Sequence, residues 1–494
     1  MENEIFNPGS ESYKRVINSE VYVDKTELIL EINKRIFTTE SYICNSRPRR
    51  FGKTVTADML TAYYSYSKIK TDIFNDKKIA KIKEWNKYLN EFNVIKLNMF
   101  NYFFNCNIEE GIKKIQKKII REVKGTILDL EFSNENNIKR IIRDIKNYTN
   151  RYIILIIDEW DCVLRMRKNV ESQKEYLNFL NSFIKDNKYI ALAYMTGILP
   201  IKKCGENSCL NNFDEYSMVS PGWTAKYVGF TEDEVKLLCE RLINNQQPGN
   251  TLKEESNKRR KIDENNKKEK ENKYDIEELI HKNELKFINI KNWYNGYQLK
   301  DSKTNKVYEI YTPLSVVNTF KFGKIDNYWN KSETYGLLKE YINKNYFGLK
   351  QDIIKLKEGK EIKINIKTYQ NDMTSFDHKD DILTMLVHLG YLSYDVDTEK
   401  VCIPNEEVLE EFKTSTDNST NSGDWKAVER KLQKSKNLLE AIKNCNEKEV
   451  AELIEDFHNE VDNKSYNTED GLRFTVLLAF YVSDEYYKEK DILM

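Results

Sequence analysis

Two short stretches hold side chains that can act together on a phosphate. The first is Gly52-Lys53-Thr54, at the end of SRPRRFGKT. The second is Asp158-Glu159, at the end of the apolar run YIILIIDEWD. A glycine turn that opens a helix lets consecutive backbone N–H groups point at an anion, and the helix adds its positive end. A lysine there adds a point charge, and a hydroxyl beside an aspartate can hold Mg2+. A glutamate next to that aspartate can polarise an attacking water. The chemistry this set permits is transfer of a phosphoryl group from a nucleotide to water. Either stretch alone has a plainer reading: Gly-Lys-Thr recurs by chance, and acids at a strand end are often only solvated.

The loop departs from the usual spacing G-x-x-x-x-G-K-[ST]. Position 47, where the first glycine belongs, is Arg47, followed by Pro48, Arg49, Arg50 and Phe51. Arginine there alters the turn into the loop, where glycine reaches a positive φ more easily. It removes no phosphate contact. Arg49 and Arg50 can add charge beside the phosphates or grip another group. A third element is Thr196, which closes the apolar run YIALAYMTG. A polar residue at that strand end can touch the γ-phosphate or the water; the plain alternative is a turn.

These residues need a scaffold. SYICN (41–45), FNVIKLNM (92–99), YIILIIDEWD (152–161) and YIALAYMTG (189–197) read as strands. Runs without polar alternation imply strands covered on both faces, as in a parallel sheet. NIEEGIKKIQKKIIREVK places Ile108, Ile112, Ile115, Ile119 and Val123 on one helical face, and residues 169–186 also read as a helix. Strands alternating with helices predict an α/β fold with a parallel sheet and flanking helices; the Gly-Lys-Thr loop and the acid pair make it read as a P-loop NTPase domain over residues 1–240, with a mostly helical region further on. The polar stretch 245–274 is expected to be disordered, because it holds too few apolar residues to offset its ordering entropy. Residues 275–413 read as a lid or accessory α+β domain and 414–424 as a polar linker. The C-terminal region 425–494 reads as mostly helical, with a further buried helix at 470–487.

With 494 residues the chain is too long for one ordinary domain. Lys+Arg and Asp+Glu stand at 79 each, so no global basic field draws it to nucleic acid. The N-terminus lacks the apolar core of a signal peptide. The longest apolar runs fall short of the ~20 residues of a membrane helix, so no membrane partner is expected. Eight cysteines without a C-x-x-C, and four histidines, point to reduced thiols in an intracellular protein. The basic cluster 258–262 reads either as a nuclear signal or as solvated surface.

The order of short motifs resembles the AAA-ATPase-like family, whose members often carry a C-terminal PD-(D/E)XK nuclease-like domain. The matching stretches begin with VYVDKTELI, RPRRFGKT, LIIDEWD and MTGILPI. LNNFDEYSM, YVGFTEDEV, NWYNGY, TPLSVVN, YWNKS, LGYL and IPNEEV follow in the family's order, so the resemblance spans roughly residues 5–410. The family's loop reads RPRRFGK[ST], which makes Arg47 a family feature and implies ATP and Mg2+ as ligands. The resemblance implies a nucleotide loop of Arg47, Pro48, Arg49, Arg50, Phe51, Gly52, Lys53 and Thr54. It implies Mg2+ on Thr54 and Asp158, and hydrolytic roles for Lys53, Glu159 and Thr196. Trp160 stands where tyrosine is usual. Tyr22, Val23, Asp24 and Lys25 match a motif expected to pack beside the base or the loop. Tyr294-Asn295-Gly296-Tyr297 reads as a turn whose aromatics pack. The nuclease core is expected to be absent: in DEYYKEKDILM, Glu489 and Lys490 are adjacent rather than spaced E-x-K.

Three functions stay open on the sequence. One is a nucleotide-driven switch that hydrolyses ATP. Another is a non-catalytic interaction module that keeps the fold and binds a protein, or itself, through the C-terminal helices. The third is an ATPase that acts with nucleic acid.

Overall fold

The computed structural model describes residues 4–167, 169–201, 210–245, 285–329, 348–371, 373, 376–417 and 422–459. The chain divides into two compact units, residues 1–334 with 359–411, and residues 335–358 with 412–494. The polar insertion beyond Asn245, its basic cluster 258–262, the expected helix at 470–487 and the terminal DEYYKEKDILM lie outside the described residues.

The first unit opens with α1 (Glu11–Ile17) and α2 (Glu27–Asn33), then β1 (Tyr42–Ser46). Residues 47–52 lead into α3 (Lys53–Tyr64), and β2 (Asn93–Asn98) follows. A short α4 (Phe100–Phe103) precedes α5 (Ile108–Thr126) and α6 (Ile138–Thr149). Next come β3 (Ile153–Asp158), α7 (Cys162–Met166), α8 (Val170–Ile184), β4 (Ile190–Gly197) and β5 (Asp214–Tyr216).

These strands form one parallel sheet in the order β2-β3-β4-β1-β5. The strand β4 therefore lies between the loop strand β1 and the acid strand β3. Both β3 and β4 are buried at every position, which is what a run of Ile and Leu without polar alternation encodes. Each such side chain contributes about 1.5–3 kcal/mol relative to exposure. On α5 the buried stripe is Ile108, Ile115, Ile119 and Val123, and Asn107 caps the helix by accepting the Glu110 N–H at 2.8 Å. The fifth strand has no such signal. Asp214-Glu215-Tyr216 is short, polar and incompletely buried, and pairing with β1 makes it a strand.

After β5, β6 (Phe230–Thr231) runs directly into α9 (Glu232–Asn245). Then follow α10 (Phe287–Tyr294), β7 (Tyr297–Lys300), β8 (Val307–Tyr311) and α11 (Pro313–Phe322). β8 pairs antiparallel with both β6 and β7. A strand before the insertion thus shares hydrogen bonds with a hairpin after it. Described residues on both sides of 245–274 therefore belong to one antiparallel sheet.

The remaining elements are α12 (Leu349–Lys357), β9 (Ile362–Lys363), α13 (Lys379–Leu389), β10 (Ser393–Asp395), β11 (Lys400–Cys402), α14 (Glu406–Asp417), α15 (Ser422–Lys443) and α16 (Glu447–Asn459). β11 pairs antiparallel with β10 and β9. The polar linker expected at 414–424 is helical at both ends, since α14 reaches Asp417 and α15 begins at Ser422. That stretch contains no proline to stop a helix. In the second unit, Leu438 of α15 and Phe457 of α16 are buried against Val450 and Leu453. Lys436 pairs with Glu358 at 2.8 Å in the same unit. No helix among the described residues is long and apolar enough to cross a membrane.

Candidate nucleotide site

The loop between β1 and α3 is held by its neighbours more than by glycine. Arg47 was expected among the nucleotide contacts; its side chain instead turns toward β5. Its guanidinium is fully buried and donates to the carbonyls of Ser46 (2.9 Å) and Tyr216 (3.2 Å) and to Thr224 Oγ1 (2.9 Å). Burial pushes its pKa down to about 10. Nor does position 47 carry the positive φ for which glycine is suited. The left-handed turns fall at Arg50 (φ 72) and Gly52 (φ 87). Pro48 packs so closely on Gly390 that a Cβ added there would lie 2.7 Å from the Pro48 Cβ. Phe51 meets Tyr297 edge to face at 5.1 Å, and the Arg50 carbonyl accepts the Leu314 N–H at 3.4 Å. The motifs NWYNGY, TPLSVVN and LGYL therefore all clamp the loop.

Packing is also the role of the Y-N-G-Y turn. The Tyr294 hydroxyl donates to the Asp326 carbonyl at 2.9 Å and the Tyr297 hydroxyl to the Gly390 carbonyl at 2.6 Å. Gly296 sits at φ 106, with the Pro404 carbonyl oxygen 1.8 Å from where a Cβ would be, so no other residue fits.

In front of the loop opens a cavity of about 720 Å3, within the range of small-molecule sites. Arg49, Arg50, Phe51, Gly52, Lys53 and Thr54 line it from the loop, and Asp158 and Glu159 from the acid strand. Tyr22, Val23 and Lys25 line it from the N-terminal motif, joined by Tyr13, Tyr227 and Phe230, and Pro313, Leu314 and Val317 from α11. Within VYVDK the labour divides. Tyr22 and Val23 supply wall. Asp24 accepts the N–H groups of Thr26 (2.9 Å) and Lys78 (2.6 Å), and the partly buried Lys25 donates to the Lys226 carbonyl (2.7 Å) and to Glu234 (2.5 Å).

Lys53 donates to the Pro48 carbonyl at 2.7 Å. Desolvation pushes its pKa down to about 8, and Asp158 opposes that shift. Thr54 Oγ1 donates to Asp158 Oδ2 at 2.8 Å. Burial raises the Asp158 pKa, while the Thr54 hydrogen bond and Lys53 pull it back. Glu159 takes a left-handed backbone (φ 51) and its N–H donates to Asp158 Oδ1 at 3.0 Å. Sheet register puts Thr196 opposite Asp158 on the next strand. Its hydroxyl is buried without a hydrogen-bond partner, and the residue stands off the cavity wall. Thr196, expected to touch the γ-phosphate or the water, thus lies beside the acid but not among the residues that line the cavity.

Two residues beside the acid pair carried no expectation. Asp161, fully buried, accepts the N–H groups of Ile198 (3.0 Å) and Leu199 (2.8 Å) and Nε of Arg165 (3.0 Å). Arg165 also reaches Glu159 Oε2 at 3.2 Å. The signal was the i,i+4 spacing of Asp161 and Arg165 at the start of a helix. A further buried acid sits behind the loop. Glu407 of α14 accepts from Ser315 Oγ (2.9 Å) and the Tyr328 N–H (2.8 Å). Burial pushes its pKa up from 4.5 to about 8, with the charge of Arg50 opposing.

That shift has a signed consequence. The folded protein keeps a proton on Glu407 that the unfolded chain gives up near pH 4.5, so this stability is fully present below pH 4.5 and is lost as pH rises to about 8. Glu407→Gln is expected to remove a fall of about 1.4 kcal/mol per pH unit across that window. Urea unfolding of both proteins between pH 5 and 8 checks this; parallel curves would show that Glu407 does not bind the proton.

A Gly-Lys-Thr loop on β1, an acid pair on β3 and the strand β4 between them in a parallel sheet define a P-loop NTPase fold. Residues 8–205, which include all of these elements, match the model of the family described as "Predicted AAA-ATPase". That segment is similar to this family, as its motifs suggest. Among solved structures, the Walker-type ATPase of Pyrococcus abyssi is 12% identical, with a TM-score of 0.39 over 79% of this chain and 94% of that one. The ORC2 protein of Aeropyrum pernix, solved as ADPNP–ADP complexes, is 12% identical with a TM-score of 0.34, over 83% of this chain and 98% of that one. No curated protein matches the chain.

Proposed function

We propose that this chain binds ATP with Mg2+ in the cavity, hydrolyses the ATP and works as a nucleotide-driven switch. The observation that carries the reading is the 2.8 Å hydrogen bond from Thr54 to Asp158 at the cavity wall, with Lys53 and Glu159 lining the same space. A hydroxyl and a carboxylate are hard oxygen donors of the kind Mg2+ takes along with phosphate oxygens. Thr54 and Asp158 would hold that ion, which neutralises charge on the β- and γ-phosphate oxygens when bound. Lys53, desolvated and already aimed across the loop, would donate to the phosphates, whose charge favours its ammonium form. The N–H groups at the start of α3 would take the remaining phosphate charge. Glu159 would accept a hydrogen bond from the attacking water and orient it.

Support for the switch comes from α11. It lines the cavity through Pro313, Leu314 and Val317, and its Leu314 N–H bonds the Arg50 carbonyl. Movement of the loop is thereby carried to α11. Retention of Lys53, Thr54, Asp158 and Glu159 in one geometry speaks against a purely structural module. The C-terminal helices are the proposed surface for a protein partner or a second copy, and equal numbers of basic and acidic residues speak against a nucleic-acid role. Free thiols among the described cysteines suit an intracellular setting.

Phosphate release from ATP by the purified chain tests the reading. Turnover is expected with Mg2+, is expected to stop on chelation by EDTA, and is expected to return when Mg2+ is restored. A folded protein that neither binds nor hydrolyses ATP would sink it.

A further inference from the structure

The Glu159 carboxylate is held by the Arg165 guanidinium. Arg165 gives one terminal N–H to Glu159 Oε2 at 3.2 Å and its Nε–H to Asp161 Oδ2 at 3.0 Å. The same Asp161 oxygen accepts the N–H groups of Ile198 and Leu199, just past the end of β4. Exposure falls steeply along this chain of contacts. The Glu159 side chain is 37% exposed, Arg165 8% and Asp161 0%.

That gradient sets which end is fixed. Asp161 has no exposure to water, and a buried charge left unpaired is costly. It therefore pins the guanidinium, and backbone donors in turn pin Asp161. Gly197 keeps this knot tight: a Cβ there would fall 2.6 Å from the Trp160 ring and 2.8 Å from Asp161 Oδ1. Glu159 is the loose end. Its backbone is left-handed, and an unrestrained glutamate side chain has roughly 1.5–2 kcal/mol of rotamer freedom to lose when it is ordered.

We propose that Arg165 is a positioning residue for hydrolysis: anchored by Asp161, it holds Glu159 by Oε2 so that Oε1 meets the attacking water. This rests on the hydrolytic reading above. In that step the water oxygen bonds to the γ-phosphorus, and the bond from that phosphorus to the bridging oxygen breaks. The electron pair leaves with ADP, and the water proton passes to Glu159. Arg165 neither gains nor loses a proton. A planar fork serves two carboxylates along two directions, which a lysine's single ammonium does not reproduce.

Arg165→Lys keeps the charge and removes the fork. Its kcat is expected to fall about 10- to 100-fold, the scale of a misplaced reacting group. Affinity for a non-hydrolysable ATP analogue, and KM, are expected to stay within about twofold, since Arg165 stands off the cavity wall. In a Glu159→Gln background the same change is expected to cost nothing more, because the two residues act through one another. An unchanged or raised kcat, an additive loss in the double variant, or a loss of affinity that matches the loss of kcat would each overturn the proposal. Should Arg165→Lys fail to fold, Asp161→Asn, which loosens the same guanidinium, is expected to give the same pattern. A wild-type protein without turnover overturns the hydrolytic reading and this inference together. Turnover indifferent to Arg165 overturns the inference alone.

Discussion

Lys53→Ala is expected to weaken ATP binding about a hundredfold while leaving the fold intact. A hydrogen bond to a charged group contributes roughly 1.5–3 kcal/mol, and tenfold in affinity corresponds to about 1.4 kcal/mol. The expected loss lies at the upper end of that range because Lys53 is partly buried and desolvated at the cavity wall. The fold should not suffer. The hydrogen bond described for Lys53 goes to the Pro48 carbonyl, and its desolvation opposes folding rather than favouring it. Calorimetric titration of ATP into wild type and variant, beside thermal melts without nucleotide, checks both halves. An affinity within threefold of wild type would mean that the cavity does not take phosphate at this loop.

Glu159→Gln is expected to separate binding from chemistry. The amide keeps the shape of the carboxylate and can still accept from Arg165, yet it cannot take a proton. Turnover should drop by roughly 10²–10⁴-fold, the usual contribution of a positioned general base, while ATP affinity stays near wild type. Phosphate release and nucleotide binding measured on the same preparation distinguish the outcomes. If release continues at the wild-type rate, water is activated elsewhere and Glu159 has no base role.

The parts of the site that could be read from sequence are those written locally. A strand buried on both faces must be a continuous apolar run, so β3 and β4 announced themselves, and the acids and Thr196 came with them. Lys53 and Thr54 follow directly on a helix start. Arg47 was misread as a nucleotide contact for the opposite reason. Its direction is set by the Tyr216 carbonyl and the Thr224 hydroxyl, far along the chain, and nothing near position 47 marks them. The same holds for Asp161. Its identity was plain in IIDEWD, but its work depends on the turn after β4 delivering two N–H groups to one oxygen. Glu407 reads as an ordinary surface acid until α14, Ser315 and Tyr328 enclose it. The strand β5 exists because β1 has a free edge, and β1 does not show that edge in its own letters.

The cavity is assembled from segments that lie far apart in the chain, and this bears on how small a working piece can be. The family match stops at residue 205, whereas Tyr227, Phe230 and Leu314 all face the same space as Lys53. A fragment cut at 205 would keep the lysine, the threonine and both acids, and its sheet would lose only the edge strand β5. It would also be a socket with one jaw missing. The candidate site residues would be complete and the wall would not, so the span that sequence comparison picks out is shorter than the span that builds the cavity.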